Sequence, residues 1–426
     1  MLRPKVLFIV GHLPWPHVRS GNGQRTELIL RALRQFADVD LFIVRVLPDT
    51  SQTTNQWGRI PESVKAELRI CHVVEIDGWP ELHSRLPGPF GRFSKTLQRF
   101  YRPYCAQPSA LEWLRSPDTR RKYDLIVGRY LQPTMFAGAI SQQLPVILDI
   151  DDVDFRRFNS NVTVHTWKGF NGWIGSKIVS AMLYMICRNA SRRFSHIWVT
   201  NVRDRTIAGK KNKVSVLPNI PFVGPGQQIV PCRERDGAQP RILFVGTLNY
   251  GPNNQGIRLF LSNVWPAVLA RLPAARLEIV GTGLTEDMTG FLKKFPQVEV
   301  TGFLENVREA YDRAHLTIAP VLWGAGTNIK VLESFAYGRV CIGTSYALGN
   351  FDIPMDLRKR ISASGLDEMC DLIVNILNDA EKRRNVARRL LHWVNSNYSY
   401  ELFQKVVKST LLGVLENSGF TRRNES

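Results

Sequence analysis

Lys330 and Glu333 stand three residues apart in GAGTNIKVLESFAYG, a spacing that sets both on one side of a helix. A cation in the first helical turn opposes the macrodipole unless an anion binds there too, and a diphosphate would be such an anion. A carboxylate one turn deeper can accept hydrogen bonds from two neighbouring hydroxyls, as when a ribose is held. The plain alternative is a solvated ion pair on an exposed face. Gly326, Thr327 and Asn328 precede the helix in a loop with Gly324, so the amides at the helix start can be offered to phosphate. A second chemistry-bearing group, Asp149, Asp151, Asp152 and Asp154, follows the apolar run PVILDI. Acids at the end of a strand lie where open α/β sheets hold ligands, and they suit hydroxyl activation, divalent-metal binding or capping of the next helix.

The elements that must carry these residues follow from apolar spacing. Around Lys330 the pattern gives a buried strand over 316–321, a glycine-bearing loop, a helix over 328–337 with Ile329, Leu332 and Ala336 toward a sheet, and a strand over 340–344. Upstream, from Arg241, the strands ILFVG, ARLEIVG and VEVTG alternate with helices over 254–272, 286–295 and 306–313. The first half repeats the theme, with strands over 4–10, 39–46, near 70–76, and over 123–129, 145–150, 196–201 and 213–217. Gly21, Asn22 and Gly23 form a loop ahead of a helix over 26–36, which permits close backbone approach to a ligand but is not a dinucleotide fingerprint. A Pro/Gly-rich stretch reads as a linker. The expected fold is α/β: two doubly wound Rossmann-like domains, 1–220 and 241–395, joined by the linker 221–240 and facing across a cleft, with 396–426 helical and crossing back to the first domain.

Composition narrows the partners. The 426 residues carry 56 Lys and Arg against 37 Asp and Glu, a net charge of +19, which favours phosphate-bearing partners. No nucleic-acid motif is present, so nucleic acid is not an expected partner. In 85–104, RLPGPFGRFSKTLQRFYRPY, cations interleave with aromatics and suit an anionic membrane surface or an acidic lipid-linked acceptor; a basic helix face with core aromatics is the alternative. The apolar run in 173–186 is too short to span a bilayer and reads as a core or interfacial helix. Six scattered cysteines without CxxC spacing point to reduced thiols, and the short apolar run at the start to a first strand, so a cytoplasmic protein is expected, peripheral at the inner membrane face if 85–104 binds lipid.

Taken together, ILFVGTL, LEIVGTG, VTGFLENV and IAPVLWGAGTNIKVLESFAYGRVCIGTS resemble the donor domain of the retaining GT-B glycosyltransferases of family 4, and are similar to a bacterial subgroup linked to exopolysaccharide assembly. The resemblance covers 241–350 and, more loosely, the first glycine loop and PVILDIDD. It implies a nucleotide-diphosphate sugar as donor, a glycan or lipid-linked acceptor, and neither cofactor nor metal. Glu333 matches the ribose-holding Glu, and Gly246 and Thr247, with Asn249 beyond them, match the loop under the diphosphate. Gly302, Phe303 and Leu304 match the segment whose backbone meets the base, and Gly21 to Gly23 the glycine loop facing the diphosphate. Asp151, with Asp149 beside it, falls where relatives carry a cleft histidine. Ala325, Thr247 and Asn253 stand where the family pattern has a Glu, an Arg and a Lys, which makes Lys330 the natural cation for the leaving group. A sugar-nucleotide epimerase or hydrolase of the same fold, or a non-catalytic binding protein, stays open beside the transferase.

Overall fold

A computed structural model describes residues 3–11, 21–47, 71–77, 100–101, 104–120, 122–156, 158–159, 169–208, 214–222, 228–233, 239–324 and 326–419. The chain divides into two compact units, Met1–Pro218 with Phe403–Ser426, and Asn219–Leu402.

The first unit is built on a parallel sheet of seven strands: β1 Lys5–Val10, β2 Asp38–Leu47, β3 Cys71–Asp77, β4 Leu125–Arg129, β5 Val146–Ile150, β6 His196–Val199 and β7 Val214–Val216, in the order β3-β2-β1-β4-β5-β6-β7. The second holds β8 Arg241–Val245, β9 Arg276–Val280, β10 Val298–Gly302, β11 Leu316–Ala319, β12 Val340–Thr344 and β13 Ser362–Ala363, in the order β10-β9-β8-β11-β12-β13. Strands covered on both faces read as continuous apolar runs, and β4, β5, β11 and β12 are buried at every position. In each sheet the order turns back at one place, between β1 and β4 and between β8 and β11. At such a switch point the flanking connections leave toward opposite faces and open a crevice at the strands' C-terminal ends. The doubly wound α/β class expected of both halves is what the chain adopts.

Local differences from the sequence reading have physical causes. The first helix begins at Gly21, five residues before the expected start, so Gly21, Asn22 and Gly23 lie in its opening turn instead of in a loop ahead of it. Apolar spacing starts only at Leu28 and could not show those polar turns. The expected helix over 254–272 is three pieces: an α-helix Gly251–Leu259, a π-helical turn Phe260–Val264 and an α-helix Trp265–Arg271. Pro266, which has no N–H for the ladder, directly follows the π-helical turn, and that wider turn is where the unbroken helix accommodates the missing donor. Within the expected linker, 228–233 packs on the second unit: Cys232 is buried beside Leu243, Ala310 and Tyr311, and its N–H donates to the Tyr337 carbonyl.

The last helix, Tyr400–Asn417, belongs almost wholly to the first unit. It buries Phe403, Val407, Leu411 and Val414, its Thr410 hydroxyl accepts from buried Trp198 Nε1 at 3.1 Å, and Arg25 lies over the Phe403 ring. Among the described residues no helix is long and apolar enough to cross a membrane. The basic stretch 85–104, except for 100, 101 and 104, lies outside the described residues.

Candidate functional site

In the second unit, the loops after β8, β9, β10 and β11 converge at the switch point through their glycines. Gly281, at φ +152°, sits so close to Gly246 that a Cβ there would meet the Gly246 carbonyl oxygen at 2.0 Å. Gly283, at φ +79°, leaves only 2.5 Å to Asn249 Oδ1 for a Cβ. Backbone bonds fasten the loops: Gly246 N–H to the Val280 carbonyl, Leu248 N–H to Thr282, and Gly281 N–H to Gly302. Gly302 has φ +77° and open space around its Cα, Phe303 beside it is exposed, and Leu304 packs on the small cluster around Tyr311. The structure thus brings Gly246, Thr247, Asn249 and Gly302 into one group. It adds Gly281 and Gly283, whose signal was the pair of glycines that ends LEIVGTG.

The loop after β11 turns through Gly324 at φ +136° and Gly326 at φ +81°, conformations that glycine adopts freely. Tyr346 Oη donates to the Gly324 carbonyl at 2.5 Å and Asn350 Nδ2 to that of Gly326 at 3.1 Å, while Asn328 Nδ2 reaches the Ala347 carbonyl at 3.3 Å. Thr327 Oγ1 is buried with no hydrogen-bond partner among the described residues. An orphaned buried hydroxyl is costly unless something else satisfies it, and here it stands in the loop that leads into the helix.

That helix runs Ile329–Ala336 and buries Val331, Leu332, Phe335 and Ala336. The buried stripe therefore includes Val331 and Phe335, and Ile329 is only half-buried, a rotation from the face read off Ile329, Leu332 and Ala336. Ser334 is buried as well, with Oγ 2.5 Å from Thr317 Oγ1 on β11. Lys330 and Glu333 remain half-buried on the other side.

Lys330 Nζ lies 4.4 Å from the centre of the Phe244 ring and donates to Asn253 Oδ1 at 2.7 Å; Asn253 Nδ2 in turn donates to the Thr247 carbonyl at 3.0 Å. Asn253 is thus a neutral relay that fixes the ammonium in this group. A Cβ on Gly246 would lie 2.8 Å from Asn253 Nδ2 and 2.9 Å from Lys330 Nζ. Gly246→Ala is expected to displace the ammonium and weaken nucleotide-sugar binding about tenfold, measured by calorimetry; unchanged affinity would remove the glycine from the site.

Burial pushes the Lys330 ammonium down to about 8 and the Glu333 carboxyl up to about 7, the lysine's charge offsetting part of the latter shift. Among the described residues nothing donates to Glu333. Its neighbours Tyr311 and Tyr337 stack at 4.5 Å, and the phenol of Tyr337 is pushed up to about 12, by burial first and then by the Glu333 charge. The raised carboxyl is lost as an acceptor as pH falls through about 7, and the lowered ammonium loses its charge as pH rises through about 8. The expected kcat/KM profile is a narrow bell with limbs near those values, which belong to the pair together. A flat profile from about pH 6 to about pH 9 would contradict it.

The first unit has its own polar cluster at its switch point. Asp149, fully buried at the end of β5, accepts from Arg25 Nε at 3.0 Å and Nη2 at 2.5 Å, and from Arg129 Nη1 at 2.9 Å. Arg129 Nη2 donates to Asp151 Oδ2 at 2.9 Å, with the Tyr130 hydroxyl 3.4 Å from the same oxygen. Tyr130 stacks on the Arg129 guanidinium at 3.9 Å and holds φ at +65°, a region non-glycine residues rarely enter. Such a departure tends to persist where surrounding contacts over-determine it. The four acids do not gather: Asp149 and Asp151 share Arg129, and Asp154 accepts from Tyr104 Oη at 2.7 Å. No group of His, Cys, Asp and Glu that could hold a metal ion occurs among the described residues.

The geometry can be set beside known proteins. Residues 239–379 match the family described as glycosyl transferases group 1. Among solved structures, sucrose-phosphate synthase from Thermosynechococcus elongatus superposes with a TM-score of 0.62 at 14% identity, over 99% of this chain and 100% of that one. A point mutant of S. aureus TarM, in complex with fondaparinux, alpha-GlcNAc-glycerol and UDP, gives 0.61 at 10% identity over 97% and 99%. Anabaena Alr3699/HepE in complex with UDP and glucose gives 0.58 at 11% identity over 96% and 100%. No curated protein matches the chain by sequence.

Proposed function

We propose that this chain, a glycosyltransferase of the GT-B fold, moves a sugar from a nucleoside-diphosphate donor to a hydroxyl of a glycan or lipid-linked acceptor with retention of anomeric configuration, in assembly of a bacterial surface or exopolysaccharide. The observation that carries the reading is the pairing of a fixed ammonium at Lys330 with an unengaged carboxylate at Glu333, one helical turn apart at the switch point. Glu333 accepts from the ribose hydroxyls. Gly246, Thr247, Asn249, Gly326, Thr327 and Asn328 surround the diphosphate, and Gly302 to Leu304 present backbone to the base. Uracil is the first base to try, because the HepE and TarM complexes hold UDP.

Departure of the nucleoside diphosphate leaves an oxocarbenium-like sugar that the acceptor hydroxyl attacks from the same face, its proton passing to the departing phosphate oxygen as the glycosidic bond forms. The protein stabilises charge growing on the leaving phosphate, through Lys330 and the N-terminal amides of its helix. Asp151 serves on the acceptor side. Paired with Arg129, it suits orienting the acceptor hydroxyl and balancing the cationic sugar more than taking a proton. Asp149 acts through Arg129 as a positioning residue. No cofactor or metal is assigned a step, and activity should persist in EDTA.

The test is thermal stabilisation by a panel of nucleotide sugars, where a ligand at about 100 times its Kd adds about 2.7 kcal/mol. Product NMR with and without acceptor then follows. Stabilisation with a product that keeps the donor's anomeric configuration supports the reading, conversion without acceptor favours an epimerase or hydrolase, and no stabilisation by any sugar favours a binding protein.

A further inference from the structure

The helix Gly169–Ser191 of the first unit has more apolar surface than the fold uses. Its inner seam, Val179, Leu183, Cys187 and Ala190, is buried in the core. Its outer face exposes Trp173, Ile174, Ile178, Tyr184 and Met185. Lys177, Arg188, Arg192 and, just beyond, Arg193 are exposed on or beside the same face, and among the described residues none of the four makes an ion pair. Lys177 Nζ lies 5.8 Å from the Trp173 ring centre. From 155 to 203 the sequence has eight Lys or Arg and no Asp or Glu.

Beside this face opens a cavity of about 410 Å³ lined chiefly by Met135, Ile140, Met182, Met185 and Ile186, with Tyr104, Asn189 and Arg193 also in its wall. The Tyr104 hydroxyl is already engaged, donating to Asp154 and accepting from Gln132 Nε2 at 3.1 Å. Mostly apolar walls with one carboxamide and one guanidinium suit a hydrocarbon chain whose anionic end stays outside.

We propose that the outer face of Gly169–Ser191 docks on an anionic lipid bilayer, with one hydrocarbon chain entering the adjoining cavity and its phosphate at Arg193. Exposed aromatic and aliphatic side chains enter the headgroup boundary, while the flanking cations meet lipid phosphates. A second copy of the chain is a poor occupant, because face-to-face pairing would set Lys177, Arg188 and Arg192 against their own counterparts with no acid between them. The docking deepens the reading of a lipid-linked acceptor, but vesicle binding needs neither donor nor acceptor, so the two can fail separately.

The experiment is co-sedimentation of the full chain with vesicles of phosphatidylcholine alone and with an equal share of phosphatidylglycerol. Binding is expected to the anionic vesicles and to fall at least tenfold in Ile178→Glu/Met185→Glu. Arg188→Gln/Arg192→Gln, changed only at exposed cations and so safe for the fold, should lose about thirtyfold, each cation near the surface contributing roughly fivefold. A phosphatidylglycerol with a photoactivatable acyl chain should label Met182, Met185 or Ile186. Parent protein that ignores anionic vesicles, variants that bind as the parent does, or label confined to other segments would each overturn the proposal. So would a concentration-dependent dimer that both variants abolish, since the face would then belong to a protein partner.

Discussion

Lys330→Ala is expected to lower kcat about a hundredfold, the usual loss when one donor to a developing anion is removed, with a smaller change in KM. The ammonium is set before substrate arrives: Asn253 holds it at 2.7 Å, Phe244 supports it, and the missing side chain of Gly246 makes room for it. Prearrangement of this kind acts where charge increases toward the transition state, which is why turnover should suffer more than donor binding. Thr247 and Asn253 offer no second cation. Lys330→Arg should not restore activity, because the larger planar guanidinium has no space beside Gly246. Steady-state kinetics on both variants, with unchanged melting temperature as control, decide the matter. Turnover of Lys330→Ala within threefold of the parent would end the assignment.

The second large effect concerns stability. Arg25→Met is expected to destabilise the first unit by about 3–5 kcal/mol, the range for a buried charge that loses its partner. Asp149 is fully buried and Arg25 supplies its two-pronged contact; without it, Asp149 keeps only the contact from Arg129 among the described residues, and Arg129 also serves Asp151. Arg25→Met/Asp149→Leu should recover part of the loss, because both charges then leave together. Hydrogen exchange of the β1, β4 and β5 amides reads this unit without assuming that the whole chain unfolds in one step. Parent-like protection in the single variant would show that the arginine is dispensable.

What was legible in the sequence follows from range. Parallel strands buried on both sides announce themselves as apolar runs, and the Lys330–Glu333 pair is a local fact of helical spacing. The partners of Asp149 are different in kind. Arg25 and Arg129 lie 124 and 20 residues away, and only the order β1-β4-β5 brings them to one place. The four acids after PVILDI therefore read as one cluster, although in the fold they divide among different partners. Asn253 was visible only as a missing lysine; that its amide would bridge Thr247 and Lys330 depends on a loop held by Gly281, whose close approach to Gly246 no spacing rule encodes.

The last helix has a consequence for how the chain is made. The first unit lacks its Phe403, Val407 and Leu411 seam until residues 403–411 have been synthesised, whereas Asn219–Leu402 is complete before them. The usual order of vectorial folding, N-terminal part first, is then reversed: the second unit can close on the ribosome while the first waits with an apolar surface uncovered. A nascent chain stalled once Leu402 has left the ribosome should accordingly protect the second unit from protease and leave the first one open to it.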